Sequence, residues 1–477
     1  MNQIQRIVKN MGVMGAAQVL TALISFVLFI YLARFLGEAD FGKYNFAFSF
    51  TNLFAIFADL GISQLLIREI ARKKQLSEYY VNNAILLKIL LSILTFIGII
   101  LITWTLRFPK TLSILLYLFG IYNILFTLSS TYLSLFQAWE KMEYVALFQI
   151  IERVIIATFT LTVLFMGYGV IAVAYIYILA GIIDMILAAT ITFKKLIKPL
   201  FKIDWKLQKK LLMMGLPFGL NALFAVFFFK IDTILLGFLK GDVAVGIYNA
   251  AYNPLLSLSM IVAGIVSAAI YPVMSKYYKE NKESLGKLTI VSSKYLAIFG
   301  LPIAIGCFIL ADKFILILYA GGYTGAIIAF QILALFIPIR LVSTITGTLL
   351  SSINRQGYRM FSVGISAAFN IILNLILIPY YSYIGASIAT VLSELLLYCL
   401  FLFYIGRYYK TINVNRTFTK PLIASIIMAI TIYPIKNLNT FIIIGLATII
   451  YFLFLFLLKT FGDDDRLLLN NLLGKEA

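Results

Sequence analysis

Apolar runs of about 20 residues, each long enough to cross the hydrocarbon core of a bilayer, follow one another along almost the whole chain with short polar breaks between them. The pattern predicts fourteen helices, over 10–35, 43–67, 81–106, 111–137, 144–167, 170–192, 210–239, 246–275, 288–310, 325–352, 358–378, 384–405, 419–436 and 440–460. The expected fold class is an all-α integral membrane protein. Its first apolar run is too long for a signal-peptide core and lacks a cleavage site, so it is expected to stay as a helix. The longest polar break, Lys194 to Lys210, separates the sixth helix from the seventh and is the best linker candidate. A stretch this basic suits the anionic cytoplasmic leaflet, and it equally suits a solvated loop obeying topology.

Within this pattern one phrase recurs. Gly42-Lys43-Tyr44-Asn45-Phe46-Ala47 returns 204 residues later as Gly246-Ile247-Tyr248-Asn249-Ala250-Ala251. At the same offset Leu66-Ile67-Arg68-Glu69-Ile70-Ala71-Arg72 aligns with Ile270-Tyr271-Pro272-Val273-Met274-Ser275-Lys276. Such an internal repeat in a membrane chain points to two homologous bundles, the architecture of a transporter. Six helices is an even number, so both halves start from the same side and the repeat is parallel. The expected organisation is a six-helix lobe over 1–198, a second over 199–410, and two additional helices with a tail over 411–477.

Composition removes the soluble alternatives. Hydrophobic residues make up 62% of the 477 positions and charged residues only 12%, against roughly a quarter charged in a soluble domain. The net charge of +19 would fit a nucleic-acid binder, but its placement decides otherwise. Of 39 Lys and Arg, 27 fall on the side of the N-terminus, 7 on the other and 5 inside helices. That bias puts both termini in the cytoplasm by the positive-inside rule and accounts for the charge with no nucleic acid. Cys307 and Cys399 lie inside predicted spans and the chain has no His, so no disulfide framework, zinc site, other metal site or cofactor is expected. No loop is long enough for a nucleotide-binding domain, and energy has to come from an ion gradient, the membrane potential or the substrate gradient.

Three further phrases carry a resemblance. Asp59-Leu60-Gly61-Ile62 through Arg72, Phe136-Gln137-Ala138-Trp139-Glu140-Lys141-Met142, and Lys230-Ile231-Asp232-Thr233-Ile234-Leu235-Leu236-Gly237 followed by Gly246-Ile247-Tyr248 resemble the polysaccharide transporter, or O-antigen flippase, branch of the multidrug/oligosaccharidyl-lipid/polysaccharide exporter superfamily. The likeness covers essentially the whole chain. It implies a V-shaped pair of six-helix lobes, in the cell membrane, that turns a lipid-linked oligosaccharide to the outer leaflet by alternating access, without covalent chemistry. A monomer working among membrane lipids is expected, with protons or sodium as coupling ions to consider.

Such a substrate has an anionic (pyro)phosphate head, sugar hydroxyls and an alkyl tail, so cations and hydrogen-bonding groups at membrane depth become the candidates. Charges there cost about 2.5–3.5 kcal/mol each on insertion scales and are seldom incidental. Lys230 and Asp232 lie in the seventh helix, two residues apart and therefore on different faces. They are either a substrate site or halves of structural ion pairs. Arg340 follows Pro338, where a kink is expected, and its guanidinium fits a phosphate or a carboxylate. Arg153, next to Glu152 in the fifth helix, either faces a cavity or snorkels to the interface. Asp232, Glu394, Glu152, Asp184 and Asp59 are candidates for ion coupling or charge balance. Asn370 and Asn374, stacked at i, i+4, either serve sugar hydroxyls or hold helices together.

One departure narrows the substrate. Relatives that flip the peptidoglycan precursor lipid II line their cavity with basic residues on the first and eighth helices. Here there is no charge between Asn10 and Arg34, and none between Gly246 and Lys276. That favours a more general polysaccharide precursor over lipid II. The competing class on the same fold is an ion-coupled multidrug exporter, which prefers an acidic, aromatic cavity.

Overall fold

The structure is a computed structural model and describes residues 3–198, 202–410 and 415–461. Part of the predicted linker (199–201), the start of the last predicted segment (411–414) and the tail after 461 lie outside the described residues. Fifteen α-helices and one 3-10 turn make up the elements, with no strand among the described residues. They are α1 (Gln3–Asp59), α2 (Ile62–Arg72), α3 (Ser77–Thr105), α4 (Lys110–Ala138), α5 (Met142–Phe165), α6 (Val170–Lys195), α7 (Trp205–Lys240), α8 (Asp242–Glu280), α9 (Lys282–Ile309), α10 (Ala311–Tyr319), α11 (Ala326–Ala334), α12 (Phe336–Ser352), α13 (Gln356–Tyr408), α14 (Asn415–Ile432) and α15 (Thr440–Leu457).

Eleven stretches are long and apolar enough to cross a membrane, and α14 adds the shorter Phe418–Ile432. Two of the eleven hold two crossings each. The 57 residues of α1 would run about 85 Å if straight, far beyond a bilayer. Gly37, at φ 70° and ψ 176°, instead turns the chain back, so that the Phe29 and Phe41 rings meet with centroids 4.7 Å apart. In α13 the same is done by Ser382, at φ 50°, and a Cβ on Gly385 would sit 2.6 Å from the Leu377 carbonyl oxygen. Counted this way, the crossings are the fourteen expected.

The helices differ from the predicted segments in three places: one end moves, one segment divides and one short helix is added. The second crossing ends at Asp59, not 67, because Leu60 and Gly61 both adopt positive φ. Gly61 leaves only 2.5 Å between a would-be Cβ and the Gly215 carbonyl oxygen of α7. Beyond the break, α2 is a separate amphipathic helix burying Ile62, Leu65, Leu66 and Ile70. These side chains join Leu135 and Phe136 of α4, Val81 and Ala84 of α3, and Leu207 and Leu211 of α7 in one apolar core. The repeat does not share this break: α8 runs unbroken through Ile265, where a β-branched residue stands in place of Gly61 and disfavours left-handed backbone. In the predicted 325–352 segment, α11 stops at Ala334 and α12 resumes at Phe336. Pro338 lacks the N–H that would have bonded to Ala334, which is the cause of the kink. The nine-residue α10 was not expected.

The chain divides into two compact units, Met1–Asn249 and Ala250–Ala477. In the first, α7 packs against α1 and α2, and the start of α8 stays with it. Here the sequence repeat becomes structure. Gly241 has φ 80° and ψ −174°, matching its counterpart Gly37. The Nδ2 of Asn45 donates to the Phe41 carbonyl at 2.8 Å and that of Asn249 to the Val245 carbonyl at 2.9 Å. Gly42 lies on the backbone of Asp242, and Gly246 lies on the backbone of Glu38, its counterpart, so a Cβ on either glycine would meet a carbonyl oxygen. In the second unit, α9, α14 and α15 share an apolar core around Ile298, Met428, Ile443 and Tyr451.

Candidate functional site

Ionisable groups inside the apolar helices gather in four places. In the first unit, Lys88 of α3 is fully buried, and its Nζ lies 2.6 Å from Asp59 Oδ1 at the end of the second crossing. It also donates to Ser63 Oγ (2.7 Å), the Thr127 carbonyl (3.1 Å) and Ser130 Oγ (3.2 Å) of α4. Ser63 Oγ in turn donates to Asp59 at 2.6 Å. Asp59, expected to balance charge, does so with a lysine that sequence reasoning passed over. A lone Lys inside the apolar run of 81–106 was the available signal.

The second cluster joins α4, α5 and α6 and brings three predicted residues together. Buried Glu152 accepts from Tyr122 Oη at 2.9 Å, and buried Asp184 accepts from Ser129 Oγ at 2.5 Å. Arg153, half-buried, lies within electrostatic reach of Glu152, Tyr122, Tyr177 and Tyr44, so it faces this cluster. The hydroxyls of Tyr44 and Tyr177 are 2.6 Å apart. Two carboxylates close enough to feel each other, with one guanidinium between tyrosines, form a group able to hold or release a proton.

In the third place, Asp232 of α7 is buried and accepts from Tyr248 Oη of α8 at 3.1 Å, beside the Thr233–Asn249 pair. Tyr248 and Asn249 belong to the repeated phrase, so the repeat supplies the partner of Asp232. Lys230, two residues away on another face, is half-buried and makes no hydrogen bond or ion pair with any described residue.

The second unit holds the fourth. Arg340 Nη1 lies 3.5 Å from Glu394 Oε2 across α12 and α13, and Ser343 Oγ donates to the other carboxylate oxygen. Arg359, counted from sequence as a topological charge, lies within electrostatic reach of Arg340. Its Nη1 donates to Ser351 Oγ at 3.0 Å. Asn370 and Asn374 are both buried, with Asn374 Nδ2 donating to the Asn370 carbonyl at 2.9 Å and to its Oδ1 at 3.0 Å. They extend a buried polar stripe along α13 with Ser362 and Ser366. Among the described residues no group of three or more Cys, Asp and Glu gathers as a metal site would need.

Comparison with known proteins fits this architecture. The family model "Polysaccharide biosynthesis protein" matches residues 7–278, more than half of the chain, and the MatE model matches 217–376. The Haloferax volcanii protein named "Probable low-salt glycan biosynthesis flippase Agl15" is 25% identical over 79% of this chain and 79% of its own length. An uncharacterized membrane protein of Methanocaldococcus jannaschii is 22% identical over 93% of this chain and 92% of its own length. Among solved structures, lipid II flippase MurJ in an inward closed conformation superposes with a TM-score of 0.77 at 17% identity, over 92% of this chain and 97% of that one. An inward-facing multidrug resistance MATE family transporter gives 0.68 at 16%, over 82% and 96%. With fourteen crossings, a parallel repeat and charged groups held at depth, the chain belongs to the polysaccharide biosynthesis protein family and is a flippase-like membrane transporter of the multidrug/oligosaccharidyl-lipid/polysaccharide exporter superfamily.

Proposed function

We propose that the protein translocates a polyprenyl (pyro)phosphate-linked oligosaccharide or polysaccharide repeat unit across the cytoplasmic membrane by alternating access, with both termini cytoplasmic. The observation that carries this reading is Lys230, a cation within a membrane-crossing helix with no partner among the described residues. A charge kept at such a cost without a protein counter-ion needs a counter-ion from the cargo. An exporter of organic cations would be repelled by it. Arg340 supplies a second cation for the head group and Arg153 a third, while Asn370 and Asn374 shape the helix that carries Glu394. The names of the glycan flippase relatives support the same substrate class.

A second element of the reading is ion coupling through Glu152 and Asp184. They are two buried carboxylates within electrostatic reach of one another inside the apolar helices, which makes them the candidates for exchanging a proton. Asp59 and Glu394 pair with Lys88 and Arg340 and serve charge balance, while Asp232 is held by the Tyr248 hydroxyl.

The test is flipping of a fluorescent polyprenyl diphosphate oligosaccharide in proteoliposomes, with and without a pH gradient, for wild type, Lys230→Gln and Arg340→Ala. Wild type is expected to flip and Lys230→Gln to lose at least tenfold in rate with its thermal transition unchanged. Export of organic cations by wild type, with no lipid flipping, would replace the proposal with the multidrug reading.

A further inference from the structure

Arginine is not spread evenly over the second unit. Of the six arginines between 250 and 477, four lie on α12, α13 and the turn between them: Arg340, Arg355, Arg359 and Arg407. Lys276, Lys279, Lys282 and Lys287, which join α8 to α9 at that end of the unit, are lysines, and the two remaining arginines are Arg416 and Arg466. Topology asks only for positive charge. A planar fork of donors is what phosphate recognition adds.

The four are also arranged. Because α13 folds back at Ser382, its two ends meet, and Tyr358 stacks against Tyr404 and Tyr408 with ring centroids 4.8 and 4.6 Å away. The Tyr358 and Tyr408 hydroxyls are 2.5 Å apart. On this platform sit two guanidiniums, Arg355 at 4.5 Å and Arg407 at 5.8 Å from the Tyr408 ring centre. Arg359 follows Arg355 by one helical turn, and Arg359 in turn is within electrostatic reach of Arg340, some 18 Å along α12 from its end at Ser352. The result is a ladder leading from the end of the bundle into the apolar part of the helices.

Among the described residues no carboxylate pairs with its three outer arginines, Arg355, Arg359 and Arg407. The described carboxylates from 250 onward are Glu280, Glu283, Asp312 and Glu394. Glu280 pairs with Lys276, Glu283 with Lys287, and Glu394 with Arg340. Asp312 sits in the first turn of α10, beyond the far end of α9. Arg355, Arg359 and Arg407 make no ion pair among the described residues, although like charges one helical turn apart repel. Stacking on tyrosines holds two of them in place without discharging them.

We propose that Arg407, Arg355 and Arg359 form a loading site for the diphosphate of an isoprenoid-linked glycan on the side that the charge bias assigns to the cytoplasm, handing the head group to Arg340. This inference rests on the flippase reading. The guanidinium forks bind the diphosphate oxygens, and the tyrosine platform keeps the forks presented towards them.

The test is titration of the full-length protein, in uncharged detergent, with geranyl diphosphate, geranyl monophosphate and geraniol, followed by microscale thermophoresis. Wild type is expected to prefer the diphosphate over the monophosphate by about tenfold, since one charge-assisted contact carries about that much. Arg355→Gln/Arg359→Gln should weaken it by tenfold or more, with Arg→Lys at both positions only partly restoring binding and Lys276→Gln leaving it unchanged. Arg407→Gln, an exposed single change, provides the same readout should the double variant fail to fold. Equal binding by wild type and a folded Arg407→Gln or double variant overturns the site. So does displacement of geranyl diphosphate by phosphatidylglycerol in nanodiscs, which would make it a bilayer-lipid site. Flipping by wild type with unaffected arginine variants would sink the ladder alone; diphosphate binding through the arginines without flipping would sink the flippase reading alone.

Discussion

The pair Lys88–Asp59 allows a quantitative test of how this helix packing is held. Lys88 is fully buried and surrounded by four oxygens, of which only Asp59 bears charge, while the Asp59 side chain keeps 26% of its surface exposed. Asp59→Asn leaves an ammonium in the helix interior with neutral oxygens only. Removing one partner of a buried pair costs about 3–5 kcal/mol, and the partial exposure of Asp59 moves the expectation to the lower end, about 3 kcal/mol. Lys88→Met should cost less, about 1–2 kcal/mol, because the stranded carboxylate can draw on water and on Ser63, and methionine fills the vacated space. In the double variant neither charge remains, so its loss should be smaller than that of Asp59→Asn alone, giving a coupling of at least about 1–2 kcal/mol. The assay is thermal unfolding of the purified protein in detergent, where a unit of this size shifts by roughly 2–4 °C per kcal/mol. Asp59→Asn should fall by roughly 6–12 °C and Lys88→Met should rescue part of it. Additive losses in the double variant would refute the claim that the two charges stabilise each other.

The glycine contacts of the repeat make steric predictions. Gly246→Ala and Gly42→Ala each drive a Cβ into a carbonyl oxygen of the opposite segment, and backbone cannot swing aside as a long side chain can. Each should lower the transition by about 1–3 kcal/mol or more, whereas Gly98→Ala, with open space at its Cβ, should not; equal tolerance at all three sites would be fatal to the packing argument. Asp204 caps α7 by accepting from Lys206 N (2.8 Å) and Leu207 N (3.1 Å), and it accepts from Tyr79 Oη. The Tyr79 hydrogen bond first, then the backbone N–H groups, hold its carboxyl below the usual aspartate range. A depressed folded-state pKa means the contribution is present above the unfolded value of about 4 and is lost as pH falls through the lower folded value. Asp204→Asn should therefore flatten the stability profile on the acid side below about pH 4 and leave the neutral range parallel to wild type; an unchanged acid limb would exclude the cap as its source.

What could be read from sequence follows from which physical signal is periodic. Apolar runs located all fourteen crossings because burial in lipid is demanded of every helix alike. The ends were misplaced where a single backbone angle decides, as at Leu60 and Gly61, since the amphipathic α2 continues the apolar pattern of 43–67 without interruption. Pro338 announced its kink through a missing donor, a local property, and α11 and α12 part where expected. Side-chain partnerships were legible only within a helix: Asn370 and Asn374 could be paired by spacing, while Asp59 with Lys88 or Arg340 with Arg359 required knowing which helices touch. Lys88 and Arg359 were missed for that reason, one hidden among five helical cations and the other counted as topology.

The two units also differ in how they hold their buried carboxylates, and the difference bears on mechanism. The first unit keeps Glu152 and Asp184 near one another, each bonded to a hydroxyl, whereas the second spends its only carboxylate within these helices, Glu394, on Arg340. A site that must exchange a small cation needs carboxylates with hydroxyl neighbours; a site that must capture a phosphate needs cations not already discharged by a carboxylate, as Lys230, Arg355, Arg359 and Arg407 are among the described residues. Direct pairing, as of Glu394 with Arg340, weakens the response of each group to its ligand. Keeping Glu152 and Asp184 without a direct ion pair to those cations among the described residues lets a proton change the charge of the carboxylates without discharging the phosphate site. Under the proposed function, coupling then passes through helix positions and not through direct ion pairing between cargo and proton sites.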